Sequence, residues 1–142
     1  MLTLRKAQTI VKAGLAKGRE VSMRPLAVVV LDARGALRAA ACEDGASLSR
    51  TDIALGKARG ALAMGVGSRT LEKMARERGH FVTAATHVVG GLIPVPGGVL
   101  VRGRTGDVIG VVGVSGDTSD NDEIAATTGI LAAGLVADGG QD

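Results

Sequence analysis

The sequence predicts an α+β fold, an antiparallel sheet flanked by helices, and three observations carry that expectation. Two pairs of apolar runs are each joined by a short polar, glycine-containing turn, the signature of β-hairpins. Helix-period segments precede, separate and follow these pairs rather than alternating strictly with single strands, which disfavours a doubly wound parallel sheet. No internal repeat or linker-like stretch interrupts the 142 residues, so one domain over residues 1–142 is expected.

The elements follow in chain order. Thr3 is a good N-cap, and Leu4, Ala7, Ile10, Val11 and Leu15 recur at helical spacing, with Arg5, Lys6, Lys12 and Lys17 on the opposite side. Pro25 leads into Leu26–Leu31, apolar throughout and therefore expected to be buried on both faces. The turn Asp32-Ala33-Arg34-Gly35 returns the chain as a second strand, Ala36–Cys42. Ser47 to Ser49 are placed to cap a helix running to about Val66. Its Gly56, Gly60 and Gly65 are each worth about 1 kcal/mol against helix relative to alanine, tolerable where another backbone packs closely. Ser68 opens a shorter helix, Arg69 to Arg78, and Phe81–Val89 reads equally as helix or extended chain. Val99–Arg102 and Val108–Val114 form the second hairpin around Arg104-Thr105-Gly106-Asp107. Ser119 and Asp122 have the spacing of a capping box, opening a last helix to about Val136.

Composition narrows the function classes. Apolar residues reach 46 % but Phe81 is the only aromatic, so the core must be built from Val, Leu, Ile, Ala and Met against closely approaching backbone. Such a core buries little area per residue, and association into a homo-oligomer is expected to supplement it. The net charge is only +3, with scattered basic residues and no stacking aromatics, which disfavours nucleic-acid binding. No apolar run approaches the ~20 residues of a membrane span, and the N-terminus lacks a signal-peptide pattern, so a cytoplasmic protein without membrane contact is expected. The lone Cys42 excludes an internal disulfide and reads as a small buried hydrophobe.

Candidate sites are sparse. Pro96-Gly97-Gly98 leads into a strand, and no Gly-Lys-Ser/Thr follows, so the glycines are not a phosphate loop. Ser115 is followed directly by Gly116 and does not form a hydrolase elbow. Asp120 and Glu123 share a helical face; they serve either a helix start or a weak metal site. His80 and His87 lie seven apart, each a candidate axial haem ligand or general acid/base beside its reading as an ordinary surface histidine. Lys57 and Arg59 could meet a carboxylate or remain solvated.

Together, LTLRKAQTIV…AKGRE, PLAVVVLDARGAL, EDGASLSRTDIALGKARGALAMG, LIPVPGGVLVR and VIGVVGVSGDTSDNDEIA resemble, in order and spacing, the GlcG/HbpS-like family (the haem-degrading domain, DUF336). The resemblance covers nearly the whole chain. It implies a profilin-like fold, assembly from dimer up to octamer, and a small-molecule ligand, with haem as the implied cofactor. It further implies propionate contacts from Lys57, Arg59 or Arg69, a ring lying against Pro94, Pro96, Gly97 and Gly98 near Ser115, and iron ligation by His80 or His87. The alternative that it leaves open is an enzyme of organic-acid catabolism, with a basic residue orienting the carboxylate and His80 or His87 as acid or base.

Overall fold

The computed structural model describes residues 1–142 as five helices and five strands. In chain order these are α1 (Leu4–Glu20), β1 (Ala27–Asp32), β2 (Leu37–Cys42), α2 (Arg50–Met64), α3 (Ser68–Glu77), α4 (Gly79–Val89), β3 (Gly98–Arg102), β4 (Val108–Ser115), α5 (Ser119–Ala132) and β5 (Val136–Asp138). The strands form one sheet in the order β2-β1-β4-β3-β5, every neighbouring pair antiparallel. This is the α+β architecture expected from the two hairpins.

Alternation along the strands builds a core on each side of the sheet. Val28 and Val30 of β1, Val99 and Val101 of β3, and Val112 and Val114 of β4 face α1 and α5, meeting Ala7, Ile10, Ala126 and Ile130. Val29, Leu31, Leu100 and Val111 point the other way, onto Ala54, Ala58 and Ala61 of α2. The apolar run of β1 is thus buried on both faces, as its sequence requires. A third, smaller cluster of Leu71, Val82 and Leu92 holds α3 and α4 to the loop before β3. The single aromatic, Phe81, packs beside it beneath Arg78, whose guanidinium lies 4.5 Å from the ring centre.

Without large side chains, α2 reaches the sheet by backbone approach. Gly98 and Gly113 are register partners in β3 and β4. A Cβ on Gly113 would lie 2.0 Å from the Ala54 carbonyl oxygen, and one on Gly98 would lie 2.3 Å from that of Lys57. The helix's own glycines receive the side chains of Ile93 and Leu92 at Gly56 and Gly60, and at Gly56 another backbone does come close, Ile93 N donating to the Gly56 carbonyl at 3.2 Å. Gly65 is not inside the helix at all. It is the left-handed residue that ends α2, its N–H bonding Ala61 and Leu62 carbonyls.

Several further expectations are corrected. The serines before α2 supply no side-chain cap, because Ser49 already has helical dihedrals. The N-cap of α5 is Thr118, whose side chain accepts from Asn121 N, so Ser119 and Asp122 do not form the expected box. That helix stops at Ala132, and Gly134, at φ 74°, turns the chain into the short strand β5. The ambiguous Phe81–Val89 segment is helical. Cys42 is exposed, not buried, because β2 is an edge strand and α2, which packs over β1, β4 and β3 on that face, does not extend over it.

Replacing Gly113 with alanine therefore forces helix and strand apart and is expected to lower stability by about 1–3 kcal/mol in urea unfolding. Gly79→Ala is the contrasting case, because nothing lies within 4 Å of its added Cβ and its φ is not positive. It should leave stability unchanged or raise it by up to about 1 kcal/mol.

Candidate functional site

The polar centre of the molecule lies where α2, β4 and α5 converge. Lys57 follows the small-residue face of α2 and points towards the sheet, 2 % exposed. Its Nζ donates to the Val114 carbonyl at 2.9 Å and to Asp122 Oδ2 at 2.9 Å, and Asp122 is equally buried. The other Asp122 oxygen turns back to accept from Asp117 N at 2.9 Å, just before its own helix, so the carboxylate ties α2 to the loop that opens α5. Gly97 makes room for the ammonium: its φ is 125°, and a Cβ there would lie 2.8 Å from Nζ. Burial pushes the Lys57 amine below its ordinary value and the Asp122 carboxyl above its own, and the attraction between the two opposes both shifts.

Neighbouring groups complete a closed polar knot. Ser115 Oγ accepts from Arg50 Nη1 at 3.3 Å, and Ser68 Oγ accepts from Gly98 N at 2.7 Å. Asp117 accepts from Arg24 N and from Asn121 Nδ2, and these hydrogen bonds hold its carboxyl well below the usual range. The structure thus brings together Lys57, Gly97, Gly98 and Ser115, with Pro96 buried beside them and Pro94 half-buried in the preceding loop. They assemble as packing: no buried side-chain polar atom lacks a partner, and none of the larger grooves is lined by these residues.

Arg69 is committed in the same way. It bonds Asp120 at 2.5 Å, Glu123 at 3.1 Å and Asp142 at 3.2 Å, and these carboxylates raise its pKa. Asp120 and Glu123 are therefore ligands of a guanidinium, joining the start of α5 to the start of α3. No group of three His, Cys, Asp or Glu side chains is arranged to hold a metal ion.

Arg59 differs from both cations. It is exposed on the outer side of α2 and has no hydrogen-bond or ion-pair partner. It borders an open groove of about 400 Å³ between the β1–β2 turn and the α2 and α4 helices, with Arg34 on one side and Leu62, Ala63 and Val89 as apolar walls. Sequence reading missed Arg34, which the turn carries 84 % exposed next to Asp32. His80 and His87 lie on one exposed face of α4, about 10 Å apart along its axis, and neither lines this groove. The groove thus offers one unpaired guanidinium, Arg59, and a second, Arg34, that is ion-paired with Asp32 at 3.5 Å, above an apolar wall without a histidine.

Two outcomes follow from the polar knot. Lys57→Met strands a buried carboxylate and should destabilise by about 3–5 kcal/mol in urea unfolding, whereas Lys57→Met with Asp122→Leu should recover most of that loss. Asp117 has a folded pKa below its unfolded one, so its contribution is present above about pH 4 and is lost as pH falls. Asp117→Asn should therefore flatten the dependence of stability on pH between about 4 and 2, measured by unfolding at each pH.

Comparison with known proteins agrees with this architecture. No curated protein matches the chain. The solved structure of the PduOC:heme complex superposes with a TM-score of 0.82 at 23% identity, covering 96% of each chain. The Klebsiella pneumoniae protein ORFY, a DUF336 protein, gives 0.80 at 26% identity, covering 93% of this chain and 90% of its own. HbpS gives 0.80 at 24% identity, covering 92% of this chain and 88% of its own. The model of the family described as haem degrading protein HbpS-like matches residues 2–131, which is nearly the whole chain, and the protein belongs to that family.

Proposed function

We propose that this chain is a single-domain, oligomeric ligand-binding protein that holds carboxylates of a largely apolar molecule, with tetrapyrroles as the ligand class. One observation carries the reading: Arg59 is an unpaired guanidinium bordering an apolar wall, in a groove that is also lined by Arg34, an exposed guanidinium whose ion pair with Asp32 spans 3.5 Å. Guanidinium groups bind carboxylates bidentately; Arg59 is open to one acid group of a ligand with an apolar body, and Arg34 can take a second by exchanging its long, exposed contact with Asp32. A volume near 400 Å³ falls within the range of small-ligand sites, about 300–1,000 Å³. Family membership and the likeness to a structure that contains heme support the choice of tetrapyrrole as the first ligand to test. Binding is preferred to acid/base catalysis because neither histidine faces a groove that holds a free cation.

The iron plays no part in this arrangement, and that makes the reading testable. Iron-free protoporphyrin and haem should bind with comparable affinity in fluorescence-quenching and absorbance titrations. Arg59→Ala should weaken both by about tenfold or more, the loss of one charge-assisted contact. His80→Ala and His87→Ala should leave both unchanged. Binding that requires iron, disappears with either histidine and ignores Arg59 would overturn the proposal.

A further inference from the structure

One end of the sheet gathers charge that the sequence disperses. The β1–β2 and β3–β4 turns, the first turn of α1 and the exit of α5 meet there. Arg5, Lys6, Arg38 and Arg104 are at this end, and none has an ion-pair partner. Arg34 is paired with Asp32, which leaves Asp107 as the carboxylate without a cation beside them. The resulting excess of three equals the net charge of the whole chain. The opposite end, where α1, β2 and β4 finish, carries Glu20, Glu43, Asp44, Asp117 and Asp120.

Apolar side chains stand among these cations. Met1, Leu4, Leu37, Leu131 and Val136 are five of the nine large apolar side chains exposed on the protein, each 49 % exposed or more. Leu37 opens β2, Leu131 lies in the last turn of α5, and Val136 pairs with Arg102 at the start of β5. Two grooves cross this end and share Met1, Asp107 and Ile109. The larger, about 390 Å³, is lined by Arg34 and Arg38, and the smaller, about 270 Å³, by Lys6 and Arg104. Arg38 is the extra residue of a β-bulge, set where the register shifts between Val30 and Leu31, and a bulge re-aims its side chain.

Cations alone would fit any polyanion, and the aliphatic side chains narrow the choice. Nucleic acid would neutralise the charge but leave the leucines in water, and no aromatic is present here for base stacking. A second copy presenting the same end would set like charges against each other. A bilayer with anionic lipids satisfies both features: its phosphates meet the cations, and the aliphatic side chains enter the interfacial layer. We propose that this end of the protein docks on an anionic lipid surface, with the acidic end turned to solvent. The sequence predicts no membrane contact because the four unpaired cations belong to three segments that only the fold brings together.

Sedimentation with vesicles tests the docking. The protein should pellet with vesicles of phosphatidylcholine and phosphatidylglycerol in equal parts, not with phosphatidylcholine alone, and added salt should release it. Lys6→Gln, Arg38→Gln and Arg104→Gln should each weaken binding about fivefold. Lys12→Gln removes an exposed lysine further along α1 and should change binding by about twofold at most. Leu131→Gln with Val136→Thr should weaken vesicle binding about tenfold. If Arg38→Gln disturbs the bulge and alters the circular dichroism, Arg104→Gln, on an exposed turn, decides the matter. Binding to neutral vesicles, or an equal loss from Lys12→Gln, would overturn the proposal. So would duplex DNA binding that exceeds vesicle binding and ignores Leu131→Gln, or a lipid-free assembly that Arg104→Gln dissociates. Arg34 and Arg59 are untouched in every variant, so this test and the tetrapyrrole titrations fail separately.

Discussion

The fold depends on the buried pair of Lys57 and Asp122. One ammonium joins the middle of α2, the end of β4 and the first turn of α5, through the Val114 carbonyl and the Asp122 carboxylate. A buried ion pair is weak evidence for net stability, since desolvation can match the attraction gained. Its stronger consequence is geometric. An unpaired charge cannot remain in this core, so α2 and α5, on opposite faces of the sheet, must dock in one register or leave both groups stranded. The glycines follow from the same constraint: Gly97 leaves space for the ammonium, and Gly98 and Gly113 let the helix backbone come near enough for Lys57 to reach across.

This constraint also sorts the cations. Lys57 is consumed inside the fold and Arg69 by three carboxylates, so neither has charge to offer an anionic ligand. Arg59, two residues after Lys57, points away from the sheet and remains free. On a helix, residues i and i+2 face different sides, and here that difference separates a structural charge from an available one. Of the three, Arg59 alone keeps its charge unpaired, at the border of a groove.

Much of the fold was legible because it rests on local signals. Thr3 caps α1 as expected, and both hairpins form around the turns that their glycines mark, Gly35 at φ 84° and Gly106 at φ 89°. The departures have non-local causes. Asp122 has capping spacing, but Lys57, 65 residues away, holds one of its oxygens and the other reaches Asp117 N instead of Ser119 N, while Thr118 supplies the N-cap. Cys42 alternates like a core residue, yet strand order puts it at an edge, and order is not written in periodicity. The three residues of β5 are too few to establish an alternating pattern. The candidate site was legible in part: Lys57, Gly97, Gly98 and Ser115 do converge, while their mutual satisfaction and the freedom of Arg59 became visible only with all partners in place.

The first hairpin links the two surfaces left over once the core is satisfied. Its turn supplies Arg34 to the groove, and its second strand is the bare edge of the sheet. Asp32 Oδ1 accepts from Arg34 N and Ala36 N, so the turn is braced from within. A braced turn has little conformational freedom left to lose, and it fixes where β2 begins. A core of short aliphatic side chains is thus compatible with well-defined surfaces because local hydrogen bonds, rather than bulk, hold the hairpin that carries them.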